Sequence, residues 1–309
     1  MNADIGFMLI CSALVFFMTP GLACFYGGLV RKKNAVNTMM TSIFIIGTGI
    51  VMWVLFGYSL SFAPTDNGII GNFSWLGLEG VSLKKGYTDS ATIPNMVFCC
   101  FQMMFAVITP ALITGSVAGR MKFKSLFVFI ILWSIVVYYP LAHMVWAQDG
   151  LLGLDGIGAL DFAGGDVVHI SSGVSALILC ILLGKRKDYD HAAYRVHNIP
   201  TVMIGASLLM FGWFGFNAGS ALSANGQAAH AFMTTAVSAA SALLSWMLCD
   251  VIKNKKTNTY RCVHRNGCRS CRNHTWCRIC PDLGSCNNRS YYKPCLLPYD
   301  IFWKEKARI

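Results

Sequence analysis

Residues 161–187, DFAGGDVVHISSGVSALILCILLGKRK, decide how the rest of the chain is read. They open on an acid in a small-residue turn, run through a mostly apolar stretch and close on the basic cluster Lys185-Arg186-Lys187. An apolar run that ends in fixed positive charge is the pattern of a helix that crosses a bilayer and stops on its cytoplasmic side. His169 lies inside that run. An ionisable side chain there is costly unless it faces a partner or a cavity. Taken singly, it reads more readily as a hydrogen-bonded packing histidine than as a functional one, so its surroundings have to decide.

The same pattern repeats on both sides of this stretch. Hydrophobic residues make up 55% of the 309 and charged residues only 13%, with a mean hydropathy of +0.53. That composition argues against a soluble globular chain. Apolar runs predict helices over about 5–30, 36–62, 93–118, 126–145, 167–183, 199–216 and 229–249, each near the roughly 20 residues that span a bilayer. Basic residues follow the first run (Arg31, Lys32, Lys33), the third (Arg120, Lys122, Lys124), the fifth and the seventh (Lys253, Lys255, Lys256). The intervening loops hold few, Lys84-Lys85 being the exception. The fold class is therefore all-α, a polytopic membrane helical bundle of seven spans, with the N-terminus outside and the basic loops cytoplasmic. No basic segment precedes the first run, so no cleaved signal peptide is expected.

Within the spans, Gly212, Gly215 and Gly219, and also Gly21, Gly27 and Gly28, predict close helix contacts, because small residues let backbones approach in lipid. Pro20, Pro110 and Pro140 predict kinks or breaks at the ends of spans. Aromatic residues gather at the predicted outer ends: Phe101 and Phe105 in FCCFQMMF, Trp146 in AHMVWAQDG and Phe216 in GWFGFNAGS. Phe101 and Phe105 are four apart and share a helix face. Any one of these rings reads best as interfacial belt or packing. Together they describe a vestibule whose ring faces attract a small cation, worth up to about 2 kcal/mol when desolvated. Ser220 adds a hydroxyl acceptor. The spans contain no nucleophile–base set and no metal cluster, which makes a membrane enzyme the least favoured class.

Four ordered segments go further. MTPGLACFYGGLVRKKN (18–34), AHMVWAQDG (142–150), ALDFAGGDVVHI (159–170) and GWFGFNAGSALSAN (212–225) resemble the signatures of the ammonium transporter (Amt/Mep/Rh) family. The resemblance covers about residues 7–256. It implies a trimer of eleven-span bundles, of which this chain carries seven spans, each protomer with its own narrow apolar pore in the cell membrane. By the same resemblance, Phe101, Trp146 and Ser220 match the outer ammonium-recruiting site. Phe105 and Phe216 match a paired phenyl gate, and His169 matches the first of two pore histidines. Asp161 matches an acid needed for conduction through structure and field, with a helix-start capping role standing equally beside that one. Asp166 departs from the pattern, since bacterial relatives are expected to carry a small or hydroxyl residue there.

The implied function is transport of ammonium across the membrane. The cation is recruited at the aromatic mouth and deprotonated as it loses water, as burial lowers the pKa of a lysine. Ammonia, the proton or both then move along a histidine-lined pore. The expected partners are ammonium or ammonia, the lipid bilayer, two further copies in an intact family member and a cytoplasmic regulatory protein. No cofactor, metal or nucleic acid is expected. A non-conducting ammonium sensor or regulatory subunit is the alternative class.

Residues 257–309 have a different composition from residues 1–256. They hold 10 Lys+Arg against 3 Asp+Glu, and 7 of the 13 cysteines. One reading is a membrane-tethered zinc module on Cys268, Cys271, Cys277 and Cys280, although the gap between the pairs is short for a ribbon. The favoured reading is a shifted frame. Asn254-Lys255-Lys256-Thr257 is encoded by an A-rich run, and one extra A would shift all that follows. Undoing the shift permits an apolar string, beginning Pro-Thr-Leu-Ile-Gly, that resembles the family's eighth span. On that reading the tail is out of frame and disordered, and the chain as written is expected not to conduct.

Overall fold

A computed structural model describes residues 2–154, 156–186 and 196–254. The zinc and shifted-frame readings of residues 257–309 both lie outside the described residues. Seven long helices dominate: α1 (Asn2–Leu29), α2 (Lys32–Phe62), α3 (Asn95–Val117), α4 (Phe123–Trp146), α5 (Gly165–Leu183), α6 (Ile199–Gly219) and α7 (Gly226–Asn254). All seven are long and apolar enough to cross a membrane. They correspond one to one with the seven expected runs, with ends displaced by a few residues. Helices suit such a chain because they satisfy every backbone N–H and C=O within the segment, where lipid offers no partner.

The packing is organised around α1 and α3. α1 lies most extensively along α6 and also touches α2 and α3, while α3 meets α5 on its other side. α3 is the most buried of the seven. Outward faces are apolar: Leu9, Ile10 and Phe17 on α1, Met40, Ile43 and Phe44 on α2, and Val174, Leu177, Ile178 and Ile181 on α5 are all exposed. In water such surfaces would be unfavourable; in lipid they are the natural exterior.

The glycine expectation holds at the α1–α6 contact. A methyl group added at Gly215 would meet Leu14 Cβ at 2.6 Å and the Cys11 carbonyl oxygen at 2.8 Å. One added at Gly212 would run into Met18 and sit 2.8 Å from the Leu14 carbonyl oxygen. Only a missing side chain permits this approach.

The proline expectation needs correction. Pro20 and Pro110 lie in the interiors of α1 and α3, not at their ends, and both helices continue through them. Beside Pro110, Thr109 donates its hydroxyl to the Phe105 carbonyl at 2.6 Å; the carbonyl that the proline deprives of its N–H is that of Ala106. Pro140 follows a π-turn at Ser134–Tyr138, which widens the ladder just where the ring removes an N–H. α2 has a matching π-turn at Trp53–Gly57. There Gly57 faces Tyr139 so closely that an added methyl would lie 2.7 Å from the ring.

Alternation along the chain puts segments 63–94, 147–164 and 220–225 at one end of the bundle. Arg31, Lys32, Lys33, Arg120, Lys122, Lys124, Lys185 and Arg186 gather at the other. The charge bias makes that basic end cytoplasmic and the first end, with the N-terminus, external.

Candidate functional site

The external end of the bundle holds a cavity of about 340 Å³. α3 contributes Phe101, Gln102 and Phe105 to its wall; Trp146 comes from the last turn of α4, Asp161 from the α4–α5 loop and Ser220 from the end of α6. Three stretches distant in sequence thus converge because α3, α4 and α6 all present their external ends here. Phe101 and Phe105, one turn apart, meet edge to face with centroids 4.9 Å apart. Phe105 also meets Trp146 edge to face at 5.7 Å and 84°.

The cavity closes on rings. Phe105 and Phe216 lie 4.3 Å apart, tilted by 41°, and both are fully buried. Beyond Phe216 comes His169, its ring 5.9 Å away and tilted by 35°. From outside inwards the order is therefore the cavity with Phe101, Trp146 and Ser220, then the phenyl pair, then the imidazole. Ring contacts thus link the five aromatic and histidine positions singled out in the sequence, Phe101, Phe105, Trp146, Phe216 and His169.

Asp161 has a position that sequence alone left open. Its Oδ1 accepts the backbone N–H groups of Gly164 (2.6 Å) and Gly165 (2.7 Å), and its Oδ2 those of Asp166 (2.9 Å) and Val167 (3.0 Å). These are the orphan donors at the start of α5. Burial pushes the Asp161 carboxyl above the usual carboxylate range, while the hydrogen bonds pull against that shift. Both oxygens are committed to the backbone, so the capping role is built into the geometry. Gly164 makes the turn possible: its φ of +85° is left-handed, and a side chain there would meet Val168 Cγ2 at 2.6 Å. The Gly164 carbonyl then accepts the N–H of His169 at 3.0 Å within a π-turn at Gly165–Ile170. The turn that Asp161 holds therefore also takes the backbone N–H of His169. Asp166 occupies the first turn of α5, where a negative charge suits the helix dipole.

Two polar features escaped the sequence reading. Gln102 is buried, lines the cavity and leaves its Oε1 without a hydrogen-bond partner. An amide within the apolar FCCFQMMF was the available signal, because a polar group in a span needs a reason. His143 is a second fully buried histidine. Its Nδ1 lies 3.2 Å from the Ser61 carbonyl and its Nε2 lies 3.6 Å from Asp149, which ties α4 to the end of α2 away from the cavity. Among the described residues no group of three His, Cys, Asp or Glu side chains is arranged to hold a metal ion.

Comparison with known proteins points to one family. The chain is 51% identical over 254 residues to the ammonium transporter of Bacillus subtilis, a match covering 82% of this chain and 61% of that one. It is 46% identical over 278 residues to the ammonium transporter of Mycobacterium tuberculosis H37Rv, covering 84% and 58%. The crystal structure of Saccharomyces cerevisiae Mep2 superposes with a TM-score of 0.83 at 32% identity, over 92% of this chain and 63% of that chain. The chain therefore spans about three fifths of the length of the relatives it matches. The model of the Ammonium Transporter Family matches residues 6–267. With seven apolar spans and that match, the chain is a multi-pass membrane protein that belongs to the ammonium transporter family.

Proposed function

We propose that the external cavity recruits ammonium and that, in a full-length family member, the path below it carries ammonia, the proton or both toward the cytoplasm. The observation that carries this is the single line of rings: an aromatic cavity, a phenyl pair in contact and an imidazole directly beyond. Phe101 and Trp146 offer ring faces to a cation, and Ser220 offers lone pairs, since its hydrogen is already donated to the Phe216 carbonyl at 2.8 Å. Phe105 and Phe216 admit nothing that keeps a water shell. Stripping water from ammonium favours loss of a proton, because a low dielectric penalises the charged form. Neutral ammonia then meets apolar walls, and His169 supplies ring nitrogens for hydrogen bonding or proton passage. Asp161 acts by holding the turn that places His169, with no free lone pair to offer the cation. In a full-length family member the remaining wall would come from further helices, and a homotrimer and a cytoplasmic regulatory partner belong to the same reading.

Binding tests this reading directly in the chain as it is. Saturation-transfer NMR with methylammonium, on protein purified in detergent, should show transfer to the methyl group that ammonium chloride competes away. Trp146→Leu should remove most of that transfer while the helical circular dichroism spectrum stays unchanged. Equal transfer to the Trp146→Leu protein would place binding elsewhere and defeat the proposal.

A further inference from the structure

We propose that Gln102 is a second acceptor for the N–H groups of the recruited cation, and that it sets the preference for ammonium over a spherical ion such as potassium. This rests on the recruitment reading above. Three features of the cavity lead to it. First, Asp161 lines the wall, but its two oxygens already accept four backbone N–H groups, so its lone pairs are filled. Second, Ser220 has donated its hydrogen inward and presents an acceptor only. Third, Gln102 is 8% exposed, lines the same wall, and its Oε1 is shut away without a hydrogen-bond partner. Native interiors rarely leave a buried carbonyl unmet, and each one that does calls for a reason, a bound water or ion among them. The terminal amide turns about a broad two-fold torsion, so its oxygen can be presented to a donor in the cavity.

The sequence position makes this specific. Gln102 lies between Phe101 and Phe105 on α3, which together with Phe98 bring rings to the cavity from that helix. A tetrahedral cation seated there would direct one N–H to Ser220 and one to Gln102, leaving the others toward the faces of Phe101 and Trp146. Potassium lacks directed donors and needs a ring of oxygens to replace its water. Two oxygens and two ring faces match the first ion and fail the second.

The methylammonium experiment decides it through competition. Gln102→Leu should raise the ammonium concentration needed for half-competition about tenfold, the loss of one charge-assisted hydrogen bond. Gln102→Glu, which keeps a polar side chain in place and adds charge, should let potassium chloride compete where the parent protein resists it. That second variant decides the matter if the leucine protein fails to fold. Unchanged competition by both ions in Gln102→Glu, or by ammonium in a folded Gln102→Leu, would overturn the inference while leaving recruitment at Trp146 intact. Absence of methylammonium contact in the parent protein would overturn both.

Discussion

Asp161 shows how one side chain can organise the start of a helix. Its carboxylate holds four N–H groups at the start of α5, so an amide at this position keeps one oxygen and loses the other. Asp161→Asn should leave two of those donors unmet and destabilise the fold by about 1–3 kcal/mol, measured by SDS-induced unfolding in mixed micelles. Its methylammonium competition curve should stay close to that of the parent protein, because the cation never used those lone pairs. The phenyl pair is tested separately. With the native cysteines replaced, His169→Cys should resist a membrane-impermeant thiol reagent added from outside, and Phe216→Ala in the same protein should expose it. Labelling of the His169→Cys protein with Phe216 intact would contradict a sealed floor. Part of this was legible from residues alone: Phe101, Phe105, Trp146 and Ser220, singled out by their motifs, line one cavity, and Phe216 and His169 follow Phe105 ring to ring. Gln102 was not, because an unmet acceptor is a property of surroundings that a one-dimensional pattern does not contain. That Asp161 caps α5 depended on where four N–H vectors point, which spacing alone does not give.

At the level of helices, the α1–α6 contact is the most constrained. Gly212→Leu or Gly215→Leu would force a side chain into the backbone of α1 and should cost about 1–3 kcal/mol by overpacking. Gly47→Ala, on α2 with nothing within 4 Å of the added methyl, should be neutral or gain up to about 1 kcal/mol. Comparable losses from all three would show that the close contact is not what these glycines serve. Span number and boundaries came from hydropathy because lipid imposes length and composition together. The prolines did not read correctly. Pro20 and Pro110 suggest ends, yet α1 and α3 run on through them, packed against neighbouring helices. The π-turns of α2 and α4 left no sequence mark, since they depend on Gly57 and Tyr139 meeting across a helix interface.

Across the whole molecule, the end that carries the cavity and the end that carries the basic residues are opposite. Single cysteines substituted for Asp66 and Lys122, in a protein otherwise free of cysteine, should report this: the first labelled in intact cells, the second only after permeabilisation. The reverse pattern would invert the orientation and place the aromatic cavity inside. The partnership of α1 with α6 has one more outcome, in the order of synthesis. The helix that leaves the ribosome first makes its broadest contact with one that emerges some 170 residues later. Until then α1 has only α2 and α3 beside it, and the glycine and small-residue groove that receives α6 stays open to lipid tails. Nascent chains halted before α6 should therefore yield α1 to protease or crosslinker far more readily than chains halted just after it.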